Sequence, residues 1–284
     1  MLFSAVTLTA AIAAAVTAAA IPTVTIAPGV SLPLISLGTG SGQHGDVANA
    51  TATWLGLGGT AVDTAYDYKD ESEVAKGIAL AGSAPFITTK IQCGTRASSA
   101  KEIQSNLDQL KMSSVDLMLI HFPSCWGGGS VSETWGALED AKAAGKTRAI
   151  GVSNFSPAQL KQLKKTAKVW PPAVNQCSLS VGYHDDKTIE YCDSNGITYM
   201  GYSPLCGGPN GSSCRHGSVM SIPQVQSIAA THNVSAAQVA LKWIVQQKRP
   251  LATAVWRADY MVEDLDLWSW GELTGDEMDT LTAI

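Results

Sequence analysis

A chain of 284 residues is long enough for one large domain or two small ones and for a sizeable core. Lys and Arg number 19 against 24 Asp and Glu, a net charge of −5, and only 15% of residues are charged, so no basic surface for nucleic acid is implied. Hydrophobic residues at 45%, with 26 glycines and 12 prolines, exclude a disordered, collagenous or coiled-coil chain, and six cysteines are too few for a disulfide scaffold of this length.

In chain order, the first element is the apolar run AVTLTAAIAAAVTAAA at 5–20, in a stretch with no Lys or Arg before Lys69 and no acid before Asp46. It is too short and too rich in Ala and Thr for a membrane span, which needs about 20 strongly apolar residues. It predicts a signal peptide ending at the small residues Ala18, Ala19 and Ala20, which leaves 21–284 as a single domain. An uncleaved anchor, another organelle leader and an ordinary buried helix are the alternatives. With a working leader the product enters the secretory pathway or another organelle; without one it is cytoplasmic.

Residues 23–26, the turn Ala27-Pro28-Gly29-Val30 and residues 31–34 predict a short hairpin. Strand-like runs follow around 35–37, 60–63, 86–89, 115–120, 147–152, 173–175, 197–202 and 251–255. Helical patterns lie at 46–57, 71–81, 98–111, 130–144, 157–168, 185–195, 221–232 and 235–247. This alternation is the arithmetic of a (β/α)₈ barrel, a TIM barrel preceded by an N-terminal hairpin; a doubly wound open sheet is the alternative.

A barrel of this kind keeps its chemistry at the C-terminal ends of its strands. The second run ends in Asp63, with Tyr66 and Tyr68 close behind, the third in Lys90 and the fourth in His121. A lysine ammonium beside a phenol stabilises phenolate and lowers a tyrosine pKa from about 10 toward the working range, and a carboxylate keeps that lysine charged. Any one of these residues alone reads as a salt-bridge or surface group. Together, on consecutive strand ends in apolar sequence, they make a proton donor for a carbonyl oxygen.

With these residues in place, the sequence resembles the aldo-keto reductase family over nearly its whole length after the leader. The resemblance is carried by Ser36-Leu37-Gly38-Thr39-Gly40, by Gly59 to Ala65 with Tyr68-Lys69-Asp70-Glu71, and by Thr88-Thr89-Lys90. It continues in Leu119 to Pro123, Ala144 to Phe155, Asn175-Gln176 and Gly201-Tyr202-Ser203-Pro204-Leu205. It implies an NADPH-dependent reductase of small-molecule carbonyls, without metal, whose catalytic tetrad is Asp63, Tyr68, Lys90 and His121; a monomer is the default expectation, because nothing in the sequence argues for an oligomer. Tyr68 is the match, not Tyr66, by its distance from the aspartate. In that reading Tyr68 donates the proton, Lys90 paired with Asp63 lowers the Tyr68 pKa, and His121 orients the carbonyl. Cofactor contacts are implied for Gly38, Thr39, Asp63, Ser153, Asn154, Gln176, Tyr202, Ser203 and Leu205, with the nicotinamide stacked on Tyr202. Phe122 stands where many members carry a pocket-lining Trp and is the implied substrate contact, and Trp126, in the Gly-rich loop after His121, reads as a second pocket-lining residue.

The adenosine end departs from the family pattern. Val255 and Tyr260 stand where NADPH-preferring members carry a lysine and an arginine for the 2′-phosphate, and Arg257 is the nearby cation able to replace them. NADH is therefore also possible. After a final helical segment at 274–281 the long C-terminal loop of many members is missing, so a more open pocket is expected.

The cysteines allow bridges Cys206–Cys214, Cys93–Cys125 and Cys177–Cys192 in an oxidising compartment, or six thiols in the cytosol. Sequons at Asn49, Asn154, Asn210 and Asn233 conflict with the cofactor reading at Asn154 if the chain is glycosylated. Two other functions stay open. One is a binding or regulatory protein on the same fold without catalysis. The other is a barrel hydrolase using Asp63, which lacks the second strand-end carboxylate that glycosidases need.

Overall fold

The computed structural model describes residues 20–40, 45–206 and 218–284. The expected leader, Asn210 and Cys214 lie outside the described residues. Gly29, at φ +73°, turns β1 (Thr23–Ala27) back onto β2 (Val30–Pro33) as an antiparallel pair. Ile26, Val30 and Leu32 of this hairpin are buried with Ala61, Phe86, Leu117, Ala149, Val174 and Ala252, residues from the early parts of the barrel strands. The hairpin thus plugs the N-terminal end of the barrel, and ligands are left the opposite mouth.

The barrel itself is β3 (Ile35–Gly38), β4 (Ala61–Asp63), β5 (Phe86–Ile91), β6 (Val115–Ile120), β7 (Thr147–Ser153), β8 (Val174–Ser178), β9 (Thr198–Tyr202) and β10 (Leu251–Thr253). These strands close in the order β10-β3-β4-β5-β6-β7-β8-β9, all neighbours parallel. Closure excludes the open-sheet alternative. It also explains the near-continuous apolar strand sequences, because a strand between the barrel interior and a helical layer is buried on both faces.

Helices α1 (Val47–Gly56), α2 (Glu71–Ala81), α3 (Arg96–Leu110), α4 (Val131–Ala143), α5 (Pro157–Lys164), α6 (Asp186–Ser194), α7 (Pro223–His232) and α8 (Ala236–Gln246) lie between or after the strands. Their starts are written in the sequence: Asp46, Thr95, Ser130, Ser156 and Ser235 each cap the helix with a side-chain oxygen. Two further helices complete the chain, α9 (Ala258–Leu265) and α10 (Gly275–Thr282). The periodicity gave no helix at α9, for a physical reason. Arg257 occupies its N-cap position without a capping bond, and what anchors α9 is tertiary: buried Met261, and buried Asp264, which accepts a 2.9 Å hydrogen bond from Thr253 Oγ1. The last strand accordingly ends at Thr253 and not at Val255.

Two buried carboxyl groups, Glu71 and Asp264, are held by threonine hydroxyls, Thr89 at 2.7 Å and Thr253 at 2.9 Å. Burial pushes both up to about 7, from ordinary values of 4.5 and 3.8. The folded chain therefore keeps protons that the unfolded chain releases, and stability falls as pH rises from about 4 through about 7. The melting temperature is expected to decline between pH 5 and 8, corresponding to a few kcal/mol, and the Glu71→Gln/Asp264→Asn variant to flatten that decline. Thermal unfolding across this range checks it; a melting temperature that rises with pH would contradict the assignment.

Candidate active site

Parallel register sets Asp63 level with Thr88, so Lys90 stands two residues further along the neighbouring strand and on the same face. The result is a buried ion pair: Lys90 Nζ donates to Asp63 Oδ1 at 2.5 Å and to the Thr64 carbonyl at 3.0 Å, with side chains 1% and 4% exposed. The second carboxylate oxygen accepts from Gln176 Nε2 at 2.7 Å. After β4 a single 3₁₀ turn (Tyr66–Tyr68) and the left-handed Lys69, φ 59°, fold the chain back over the barrel mouth. Lys90 Nζ lies 5.2 Å from the centre of the Tyr68 ring. His121, just past β6, meets that ring edge-on at 5.5 Å, and its Nδ1 lies 3.0 Å from Asp67 Oδ2. Asp63, Tyr68, Lys90 and His121 are thus brought together. Tyr66 is not among them; its ring lies 3.5 Å from Lys69 Nζ.

The electrostatics correct one expectation. Burial works to lower the Lys90 pKa, but Asp63 and Tyr68 outweigh it, and the ammonium is held above its ordinary value. Burial also pushes the Tyr68 phenol up, and this exceeds the downward pull of Lys90, so the tyrosine pKa is raised and not lowered. The low-dielectric surroundings that sustain the ion pair penalise phenolate more than one shared cation relieves. His121 is pushed down to about 4, by burial first and Lys90 second, with Asp67 opposing.

The expected cofactor contacts on β7, β8 and β9 form a connected network. Ser153 Oγ donates to the Gln176 carbonyl at 2.8 Å. Asn154 Nδ2 donates to the His121 carbonyl and to Ser153 Oγ, both at 3.0 Å, and Asn154 Oδ1 accepts from the Tyr202 hydroxyl at 2.8 Å. Asn154 and Ser203 adopt left-handed φ of 65° and 52°, a conformation rare outside glycine that clusters at functional sites. Ser203 and Leu205, both half-buried, continue the chain past β9, while Gly38 and Thr39 are buried at the end of β3, with Thr39 N donating to the Asp63 carbonyl. Arg257 stands apart from this network: its exposed guanidinium makes two bonds to Asp259, at 3.0 and 2.5 Å, and lies 4.5 Å from the centre of the Tyr260 ring.

Phe122 stacks on His121 at 4.5 Å and is 47% exposed, and Trp126 is 93% exposed. With Asp67, Gln92, Cys93, His121, Ser124 and Gly127 they line a hollow of about 100 Å³ beside the tetrad. A disulfide between Cys93 and Cys125 ties the ends of the β5 and β6 loops together here. Cys206 is also disulfide-bonded, and the Cys214 end of that expected bridge lies outside the described residues. The third bridge does not form. Cys177 and Cys192 are thiols, with the Asn175 amide between them, accepting from Cys177 at 3.4 Å and donating to Cys192 at 3.7 Å.

Gly40, packed against the Tyr68 ring, is a contact that sequence reading did not single out. A Cβ there would collide with the Tyr68 ring and its hydroxyl. Gly40→Ala is expected to displace the phenol and lower kcat roughly 10- to 100-fold with little change in cofactor binding; unchanged kcat would show that Tyr68 does not need that space. Asp67 and Gln92 were missed as well. Asp67 lies between the two tyrosines, and nothing local distinguishes it from a solvated turn acid.

Residues 34–284 match the family model described as Aldo/keto reductase family. The chain is similar to NADPH-dependent codeinone reductase 1-4 of Papaver somniferum, at 31% identity over 93% of this chain and 89% of that protein. It is equally similar, at 31%, to an aldo-keto reductase of Mycolicibacterium smegmatis, over 94% and 92% of the two chains. Among solved structures, the Bombyx mori aldo-keto reductase in complex with NADP superposes with a TM-score of 0.85 at 25% identity, over 94% of this chain and 93% of that one. An aldo/keto reductase from Brucella melitensis gives 0.82 at 28%, over 93% and 99%.

Proposed function

The chain belongs to the aldo/keto reductase family, and we propose that it reduces an aldehyde or ketone of a small molecule to the alcohol, with NADPH as cofactor and Tyr68 as proton donor. The observation that carries this reading is the convergence of Tyr68 and His121 over the buried Lys90–Asp63 pair at the open mouth of the barrel. The raised pKa of Tyr68 keeps its proton in place until a carbonyl oxygen takes it. As the proton leaves, the adjacent Lys90 ammonium offsets part of the cost of a buried phenolate, and Asp63 keeps that ammonium charged and aimed. His121 stays neutral and borders the reacting oxygen.

Ser153, Asn154, Gln176 and Tyr202 fit a nicotinamide: hydroxyl, amides and an aromatic side chain stand together at the ends of β7 and β9 and within β8, beside Asp63 and His121. When bound, the cofactor supplies the hydride. At the adenosine end the fit is weaker. Arg257 already faces the Asp259 carboxylate, which opposes a 2′-phosphate, and this favours NADH as the second cofactor to test. The disulfides also support an oxidising compartment, as expected if the N-terminal run is a leader. Asn154 commits its amide to three neighbours, which a glycan would break.

The test is quenching of tryptophan fluorescence by NADPH and by NADH, followed by reduction of a panel of aldehydes. Saturable quenching and cofactor oxidation are expected. Absence of binding by both cofactors at millimolar concentration would sink the reductase reading and leave a non-catalytic member of the family.

A further inference from the structure

The bridge between Cys93 and Cys125 stands beside the tetrad and has no part in the chemistry described above. Cys93 lies just past Lys90 on the continuation of β5, and Cys125 lies in the loop between His121 and α4. Cys93 and the two neighbours of Cys125, Ser124 and Trp126, line the hollow of about 100 Å³ next to His121. Trp126 has almost no packing of its own, being 93% exposed, and three glycines follow it. The same loop meets the end of β5 again at Gly129, which sits so close to the Gly94 backbone that a Cβ there would collide with it. Ser130 N donates to the Gly94 carbonyl at 3.3 Å. Since Cys93 and Gly94 are adjacent, the loop is pinned to one spot past Lys90, and Cys125 is the pin nearest Trp126. Without the bridge, the segment from Pro123 to Gly128 hangs between Phe122, stacked on His121 at 4.5 Å, and the Gly129 contact.

We propose that the Cys93–Cys125 bridge determines substrate specificity: closed, it holds Trp126 beside the hollow as a wall for carbonyl compounds with an aromatic body, and opened by a dithiol it gives up that preference. The inference rests on the reductase reading above. Opening is a thiol–disulfide exchange. A thiolate of dithiothreitol attacks the sulfur of half-buried Cys125, and Cys93 leaves as a thiolate and takes up a proton. The second thiol of the reagent then closes its own ring disulfide and releases Cys125 as a thiol, so two electrons pass from the reagent to the bridge. Once freed, the loop samples many positions, and a substrate must order it again to touch the indole. A formed aromatic contact is worth about two- to tenfold in affinity, which is the size of the preference at stake.

The measurement is the ratio of kcat/KM for 2-naphthaldehyde to that for propanal, in which the intrinsic reactivities of the aldehydes cancel when one protein is compared in two states. Dithiothreitol is expected to lower the wild-type ratio about three- to tenfold, and Cys93→Ser/Cys125→Ser to show the low ratio with and without the reagent. Trp126→Ala, at an exposed position, is expected to start from the low ratio and to lose little more on reduction. A bridge that served the fold alone would lower the melting temperature and leave the ratio where it was. A wild-type ratio unchanged by reduction overturns the proposal, and so does a fall of full size in Trp126→Ala. If the double variant does not fold, Cys206→Ser takes its place: it lacks the other bridge, so a fall on reduction belongs to Cys93–Cys125 and a constant ratio overturns the proposal. Cofactor binding without turnover of 2-naphthaldehyde overturns it as well. Absence of both cofactor binding and turnover defeats the reductase reading itself, and the proposal with it.

Discussion

Tyr68→Phe is expected to bind NADPH as tightly as the wild type and to lose aldehyde reduction by roughly 10²- to 10⁴-fold, the usual worth of a positioned proton donor. The separation of the two effects follows from the contacts. The Lys90 ammonium keeps Asp63 at 2.5 Å and the Thr64 carbonyl at 3.0 Å without the phenol, so the charge beneath the site remains paired. The edge of the ring against His121 survives the substitution, and the residues assigned to the nicotinamide are bonded to one another and not to Tyr68. What disappears is one O–H, at a position where burial keeps it protonated. Single-turnover rates with fluorescence titration in parallel would check this. Turnover within a few-fold of the wild type would move the proton donor elsewhere, with Tyr202 the neighbouring phenol to examine.

The barrel was legible in the sequence because each of its strands is an apolar run closed by a turn or a helix cap, and these signals are local. The clustering of Asp63, Lys90 and His121 was legible because strand ends are where a barrel keeps its chemistry, so these residues could be picked out without knowing their partners. The choice of Tyr68 over Tyr66 came from resemblance, and its physical basis is the 3₁₀ turn with left-handed Lys69, which sends one ring over Lys90 and the other outward to Lys69. Pairings between distant residues were not legible. Gln176 reaches Asp63 across 113 positions and His121 reaches Asp67 across 54, and no local pattern encodes either bond. The direction of the Tyr68 shift was misread for a related reason: the sequence names the nearby charge but does not give the depth of burial that outweighs it. Helix α9 was missed because tertiary burial of Met261 and Asp264, not capping, holds it in place. Arg257 is a matching case at the surface, since a candidate phosphate ligand reads differently once Asp259 is seen bonded to it.

The largest expected loss of stability is at Asp63. Asp63→Ala removes the carboxylate from a pair whose members are both buried, and leaves the Lys90 ammonium with only the neutral Thr64 carbonyl and Tyr68 hydroxyl as partners. Stranding a buried ion costs about 3–5 kcal/mol. For a domain of this size that corresponds to a fall in melting temperature of roughly 10 °C, at about 2–4 °C per kcal/mol. Lys90 can relieve the cost by releasing its proton, since Asp63 is the largest of the influences holding its pKa up. Either response disables the site, because an uncharged lysine no longer stabilises the Tyr68 phenolate. Asp63→Asn should be milder for stability, as an amide oxygen still accepts from Nζ, and nearly as severe for kcat, as the charge is gone. The decisive comparison is Asp63→Leu/Lys90→Met. Replacing both members of a buried pair by apolar side chains is often close to neutral for folding, so this variant should recover most of the melting temperature lost in Asp63→Ala while remaining inactive. Thermal unfolding and aldehyde reduction on the same preparations separate the two roles. A melting temperature in Asp63→Ala within about 2 °C of the wild type would mean that water or a neighbouring group reaches Lys90, and that the pair is not the buried support from which Tyr68 works.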